Sequence, residues 1–145
     1  MLDLHKKKIL NSLRMDSRRN LVEIAGEFGL ALWKVRDAKK ELDSRFVGRY
    51  TVLLDFDKIG CNLRMFFILK PRMGSIYELE RFLKRARNIN NLHLVDDYCT
   101  YFFEAVFFSN KGLNKFILEL NKFDFNEKKQ MFISEEIKKE GFLLL

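Results

Sequence analysis

Apolar residues at Leu2, Ile9, Leu10 and Leu13 of "LDLHKKKILNSLRM" recur near the helical period, and Asp3 stands where a helix start needs a side-chain acceptor. "NLVEIAGEFG" repeats the arrangement. Asn20 and Glu23 have the spacing of a capping box, Leu21, Ile24, Ala25 and Phe28 form one apolar face, and Gly29 follows where a helix ends most easily in a left-handed residue. A third helix, from about Leu32 to Asp43, carries two stripes. Leu32, Val35 and Leu42, with Ala38 beside them, recur at core spacing. Trp33, Arg36, Asp37 and Lys40 recur at i, i+3, i+4 and i+7 on another face. Small Ala25 permits a close helix crossing and Gly29 a sharp turn, so the two helices have the mechanics of a helix-turn-helix, with the second stripe facing a major groove.

The period then changes. "FVGRYTVLLDF" (Phe46 to Phe56) is rich in β-branched and aromatic residues and predicts a strand leaving the helical unit, and "DKIG" predicts a turn. "CNLRMFFILK" predicts a second strand. "SIYELERFLKRARN" predicts a helix opened by a Ser75–Glu78 capping box, with Ile76, Leu79, Leu83 and Ala86 on one face. "LHLVDDY" and "TYFFEAVFF" read as strands joined by a tight turn near Asp96–Asp97. "KGLNKFILELNK" is a helix with Leu113, Phe116, Ile117 and Leu120 on one side, and "KKQMFISEEIKK" is a last strand. From Cys61 onward the order is β-α-β-β-α-β, the ferredoxin-like split βαβ. The fold class is therefore α+β: a helix-turn-helix domain over 1–50, a hinge strand and turn over 51–60, and a ferredoxin-like dimerisation and effector domain over 61–145. Both helices of the last domain should cover one face of an antiparallel sheet, leaving strands that alternate apolar and polar. "MFFIL" and "YFFEAVFF" do not alternate, and 13 of the 15 Phe lie beyond residue 50. Such a face is expected to be covered by a second copy of the chain, as a homodimer or a larger ring.

Charge sharpens this picture. Residues 1–50 hold 12 Lys and Arg against 7 Asp and Glu, a net of +5, whereas residues 51–145 hold 15 against 13, a net of +2. The basic excess lies with the helix-turn-helix and favours an anionic partner, double-stranded DNA. Arg36 is the candidate for a base or phosphate contact, Lys34 and Lys40 for backbone clamps, and Trp33 for an apolar contact with a thymine methyl, with Asp37 in the same stripe. Cys61 and Cys99 form no CxxC pair, and His5 and His93 do not complete a zinc set with them, so free thiols in a reducing compartment are expected, with no metal or cofactor. A membrane span needs about 20 apolar residues. The longest aromatic run, "YFFEAVFF", is short and broken by Glu104, so a cytoplasmic protein without membrane association is expected.

The chain resembles the Lrp/AsnC (feast/famine) transcriptional regulators over nearly its full length. The likeness is carried by "LDLHKKKILNSLRMDSR", "EIAGEFGL", "GRYTVLLDFDKIG" and the closing "KKQMFISEEIKKEGFLLL". It implies promoter binding as a dimer or a ring of dimers, with affinity set by an amino acid held between dimers. Two departures stand out. Ala31, Leu32 and Trp33 replace the polar start of the recognition helix, and Asp37 stands where a basic residue is common. Asp97, Tyr98, Cys99 and Thr100 occupy a turn where relatives often carry Gly. Asp96, Asp97, Tyr98 and Thr100 are the candidate effector residues. Loss of Gly is expected to change the turn, and two adjacent carboxylates disfavour a ligand carboxylate and suit a cationic group or no ligand. Two other readings share the architecture: a regulator acting through protein partners without specific DNA reading, and a siroheme-decarboxylase-like enzyme. The enzyme needs His and Arg residues against tetrapyrrole carboxylates, and a strand position for His93 favours a structural role.

Overall fold

The computed structural model describes residues 2–95 and 99–141. It contains two compact units, one built from the chain up to Leu53 with the segment from Lys138 on, the other from Leu54 to Ile137. Among the described residues no helix is long and apolar enough to cross a membrane.

The first unit holds α1 (Leu4–Met15), α2 (Leu21–Phe28) and α3 (Leu32–Arg45). Asp3 caps α1, its carboxylate accepting from the Lys6 amide at 2.8 Å. Asn20 caps α2 by accepting from Val22 N at 3.0 Å. Ile9, Leu13, Ile24, Ala25, Val35 and Leu42 are buried together, with Leu21, Phe28, Leu32 and Ala38 packed against them. Ser12 is buried beside this core, and Arg19 satisfies it by donating to its Oγ at 2.6 Å. The same guanidinium reaches Glu27 at 2.6 Å and so ties α1 to α2. Gly29 ends α2 at φ 62°, and Leu30 N donates to Ala25 O at 2.9 Å across the turn. The left-handed residue satisfies carbonyls that the helix end would orphan. Ala31 occupies the N-cap of α3 with suitable extended backbone, φ −65° and ψ 137°, yet its methyl offers no acceptor.

The second unit contains β1 (Leu63–Pro71), a 3-10 turn (Met73–Ser75), α4 (Ile76–Arg85), β2 (Ile89–Leu94), β3 (Tyr101–Phe107), α5 (Asn110–Leu120) and β4 (Phe125–Phe132). The strands lie in the order β2-β3-β1-β4, every pair antiparallel, which is the split βαβ expected. Met65, Phe67 and Leu69 of β1 and Tyr101, Phe103, Ala105 and Phe107 of β3 point to one face. There they bury with Leu79 and Leu83 of α4 and Leu113, Phe116 and Leu120 of α5. Phe67 and Phe103, opposite each other in the ladder, stack at 4.9 Å, and Phe116 meets Phe67 edge-on at 5.6 Å.

The other face of the sheet carries Phe66, Ile68, Phe102 and Val106, all half-buried, with Phe66 and Phe102 stacked at 5.1 Å. Glu104 lies among them at only 5% exposure. Arg64, two rows along on β1, donates to its Oε1 from Nε at 2.9 Å and Nη2 at 2.6 Å. Asn90 and Asn91 reach the other oxygen at 2.8 and 3.3 Å. Burial would raise the Glu104 pKa, but the Asn90 amide and the Arg64 guanidinium outweigh it and hold the carboxyl below its ordinary range.

Three expectations change. Phe46–Phe56 forms no strand: residues 47–55 are irregular, and Val52 and Leu53 stand 76% and 59% exposed. β-propensity requires a neighbouring strand to bond with, and among the described residues none pairs there. Ser75 makes no side-chain cap; it ends the 3-10 turn with helical backbone, so its hydroxyl does not meet the α4 amides. The last strand runs earlier than "KKQMFISEEIKK". β1 dictates its register, pairing Pro71 with Phe125 and Met65 with Phe132, and the ladder ends with Ile133 N donating to Arg64 O at 2.9 Å because β1 runs out.

Gly29→Ala would place a Cβ that meets no atom within 4 Å but must hold φ 62°. It is expected to destabilise the protein by about 1 kcal/mol. Ala31→Ser supplies the missing cap and is expected to stabilise by about 1 kcal/mol. Thermal melts of both variants check this; parental stability of Gly29→Ala would be incompatible with a left-handed α2–α3 turn.

Candidate nucleic-acid interface

Burial of Val35 and Leu42 sets the rotation of α3 about its axis, and everything on its outer side follows. Trp33 is 62% exposed, and Lys34, Arg36, Asp37 and Lys40 are also exposed. Lys34 Nζ lies 5.5 Å from the Trp33 ring centroid, a cation–π contact that holds the two side chains together at the first turn. The stripe is not uniform. Trp33, Lys34 and Asp37 border a cleft of about 310 Å³ beside α1, with Lys6 and Ile9 on the far wall. Arg36 and Lys40 lie outside that cleft.

The cations of α3 divide by partner. Lys39 binds Asp43 at 2.6 Å, and Tyr50 donates to the same carboxylate at 2.5 Å while its ring lies 5.1 Å from the Lys39 ammonium. Hydrogen bonding to Asp43 raises the Lys39 pKa against the effect of burial. Arg45 pairs with Glu41 at 3.5 Å, and Lys6 reaches Glu41 at 2.7 Å. Among the described residues Lys34, Arg36 and Lys40 have no carboxylate partner. Three exposed cations on one helix, left unneutralised by the protein, form a surface able to bind phosphates and base edges.

Of the effector residues expected near the second turn, Asp96, Asp97 and Tyr98 lie outside the described residues. Thr100 is half-buried, and its carbonyl accepts from Val95 N at 2.9 Å. Cys99 sits at φ 60°, the left-handed region that glycine occupies without strain. A residue with a Cβ therefore holds positive φ here, at a cost of roughly 1 kcal/mol. Cys61 and Cys99 are free thiols. His93 stands on β2 opposite Phe102, its ring 6.3 Å from that ring.

Two features went unread in the sequence. Arg19 serves as the clasp between α1 and α2, and no local pattern marks it. The Arg64–Glu104 pair had a visible trace, one Glu inside an apolar strand, but its partner lies 40 residues away.

No family model matches the chain. An uncharacterized HTH-type transcriptional regulator of Pyrococcus furiosus is 30% identical over 139 residues, covering 95% of this chain and 94% of that protein. One from Pyrococcus horikoshii is 29% identical over 144 residues, 99% of this chain and 97% of its own length. Among solved structures, a transcriptional regulator of Neisseria meningitidis in complex with L-Met aligns at TM-score 0.85 and 21% identity, over 96% of this chain and 94% of that one. LrpC of B. subtilis aligns at 0.85 and 18%, over 97% and 99% of the two chains. AsnC of E. coli aligns at 0.85 and 10%, over 98% of each.

The chain belongs to the family of HTH-type transcriptional regulators found in Pyrococcus, and it has the fold of LrpC and AsnC. The helix-turn-helix and ferredoxin-like architecture read from the sequence is the one found. In this HTH-type regulator the second helix of the helix-turn-helix, α3, starts on an uncapped Ala31 and an exposed indole.

Trp33 is the chain's one tryptophan, so its fluorescence reports this surface directly. The free protein is expected to emit as a water-exposed indole, and Trp33→Phe to change stability by less than about 0.5 kcal/mol. An emission maximum typical of a buried indole would place α3 in a different rotation.

Proposed function

We propose that this HTH-type regulator is of the Lrp/AsnC type and binds promoter DNA as a homodimer or higher oligomer, with α3 lying in the major groove. The observation that carries the reading is the set of unneutralised cations on α3, with neighbouring Lys39 and Arg45 already engaged by carboxylates. Arg36 makes the base or phosphate contact, Lys34 and Lys40 clamp the backbone, Trp33 meets a thymine methyl, and Asp37 accepts from a base amino group such as that of cytosine. The regulator of Neisseria meningitidis holds L-Met; for this chain we assign a small-molecule effector to the residues Asp96, Asp97, Tyr98 and Thr100, with a cationic group favoured by the two carboxylates.

The dimer reading is supported by the sheet face carrying Phe66, Ile68, Phe102 and Val106, an apolar surface too continuous for a sheet side left to water. A second copy placed there buries the aromatic stack and encloses the Arg64–Glu104 pair, which is already satisfied within one chain.

Fluorescence anisotropy against duplex from the gene's own upstream region, over a range of salt, tests the DNA reading. Log affinity should fall linearly with log salt. Arg36→Ala should lose roughly 1–3 kcal/mol of discrimination if it reads a base, and Lys40→Ala should reduce the salt slope by about 1. If both variants bind with unchanged affinity and slope, another face contacts DNA.

Sedimentation equilibrium of the full chain should give at least a dimer. Phe102→Glu places a charge on the open sheet face and should shift the population to monomer while the far-UV spectrum stays that of the parent. A parental protein that is monomeric at micromolar concentration would refute the sheet-face argument.

A further inference from the structure

Asp43 shares a face of α3 with two of the cations left for DNA. It stands three residues after Lys40 and seven after Arg36, spacings that bring side chains into line along a helix. A carboxylate three positions from a lysine is a ready ion-pair partner for it. Among the described residues Lys40 does not pair with Asp43, nor with Asp37, three positions on its other side. Asp43 is occupied instead. Lys39 donates to its Oδ2 at 2.6 Å, and the Tyr50 hydroxyl donates to its Oδ1 at 2.5 Å. Lys39 also donates to the Tyr50 oxygen at 3.3 Å, so the three groups close a ring. Burial would raise the Asp43 pKa, but the hydrogen bonds from Lys39 and Tyr50 outweigh it and hold the carboxyl below its ordinary range. An ionised carboxylate on a DNA-facing stripe repels phosphate and competes with it for neighbouring cations.

Tyr50 is not part of α3. It lies in the irregular chain that follows the helix, and at 49% exposure its ring contributes little to a core. What it adds is a second donor: Lys39 engages one oxygen of Asp43, and Tyr50 engages the other. We propose that Tyr50 is a positioning residue for DNA binding, which together with Lys39 holds Asp43 off Lys40 and so leaves the Lys40 ammonium to phosphate. The connecting chain thus governs a cation of the DNA-reading surface without itself touching DNA. The consequence for DNA rests on the proposed role of Lys40 as a backbone clamp; the hold on Asp43 does not.

Two measurements on the full chain test this. Without DNA, amines are labelled with limiting N-hydroxysuccinimidyl acetate, and the ratio of labelling at Lys40 to that at Lys34 is read by mass spectrometry. Tyr50→Phe keeps the ring and removes the donor, so Lys40 should react about twofold more slowly, the preference of one ion pair along a helix. Asp43→Asn, alone or combined with Tyr50→Phe, should leave the ratio at its parental value, because no carboxylate remains to capture Lys40. A merely structural contact would not slow Lys40 in one variant and spare it in the other. With DNA, anisotropy against the upstream duplex should show Tyr50→Phe weakening binding by about twofold per copy, and having no effect in the Asp43→Asn background. A parental labelling ratio in Tyr50→Phe overturns the proposal, and so does a loss of DNA affinity that is equal in both backgrounds. Slower labelling of Lys40 with unchanged DNA affinity upholds the hold on Asp43 and overturns instead the reading of Lys40 as a DNA clamp.

Discussion

The two central strands of the sheet carry apolar side chains to both faces, and most of the second unit's architecture answers that constraint. On one side Phe67, Phe103 and Phe116 close against each other, and α4 and α5 bury Leu79, Leu83, Leu113 and Leu120 over them. On the other side Phe66, Phe102, Ile68 and Val106 form a half-buried surface, with Phe56 and Glu136 packed against Arg64 at one end of it. Into the middle of that surface the chain puts Glu104, with a bidentate Arg64 and two Asn amides around it. A buried ion pair adds little net stability compared with apolar side chains of the same size, but leaving one partner alone is costly. Its contribution here is to forbid alternatives. Sliding β3 along β1 would separate Glu104 from Arg64 and leave a carboxylate unpaired in an apolar layer, so the pair pins the register that the Phe67–Phe103 stack also requires.

In the first unit one helix carries two obligations. Val35 and Leu42 attach α3 to the core, and the rest of its surface is thereby turned outward. The protein satisfies some outward charges itself, through Lys39–Asp43–Tyr50 and Arg45–Glu41, and leaves Lys34, Arg36 and Lys40 to others. The start of the helix is uncapped at Ala31, so its first amides are also unsatisfied by any side chain. Anionic phosphate suits both deficits, since an exposed helix N-terminus and unpaired cations favour the same charge. Stability lost at the cap and attraction for an anion at that end have one origin.

Much of this was decided locally and could be read from the chain. Helical and strand periods marked α1 to α5 and the four strands, because a side chain's face depends only on spacing within its own element. Gly29 marked the turn, since few other residues hold φ 62° without strain. The outward face of α3 followed from its two core residues. Tertiary structure decided what depends on distant partners. Phe46–Phe56 has strand composition but no neighbouring strand within the described chain, and composition cannot supply the missing hydrogen bonds. The last strand took its limits from β1, about sixty residues earlier, rather than from its own residues. Which cations are neutralised, that Glu104 meets Arg64, and that the Asn88 amide nitrogen is buried without a partner all depend on side chains brought together from separate elements. Spacing along one element carries no information about such meetings, because they are properties of the packed chain.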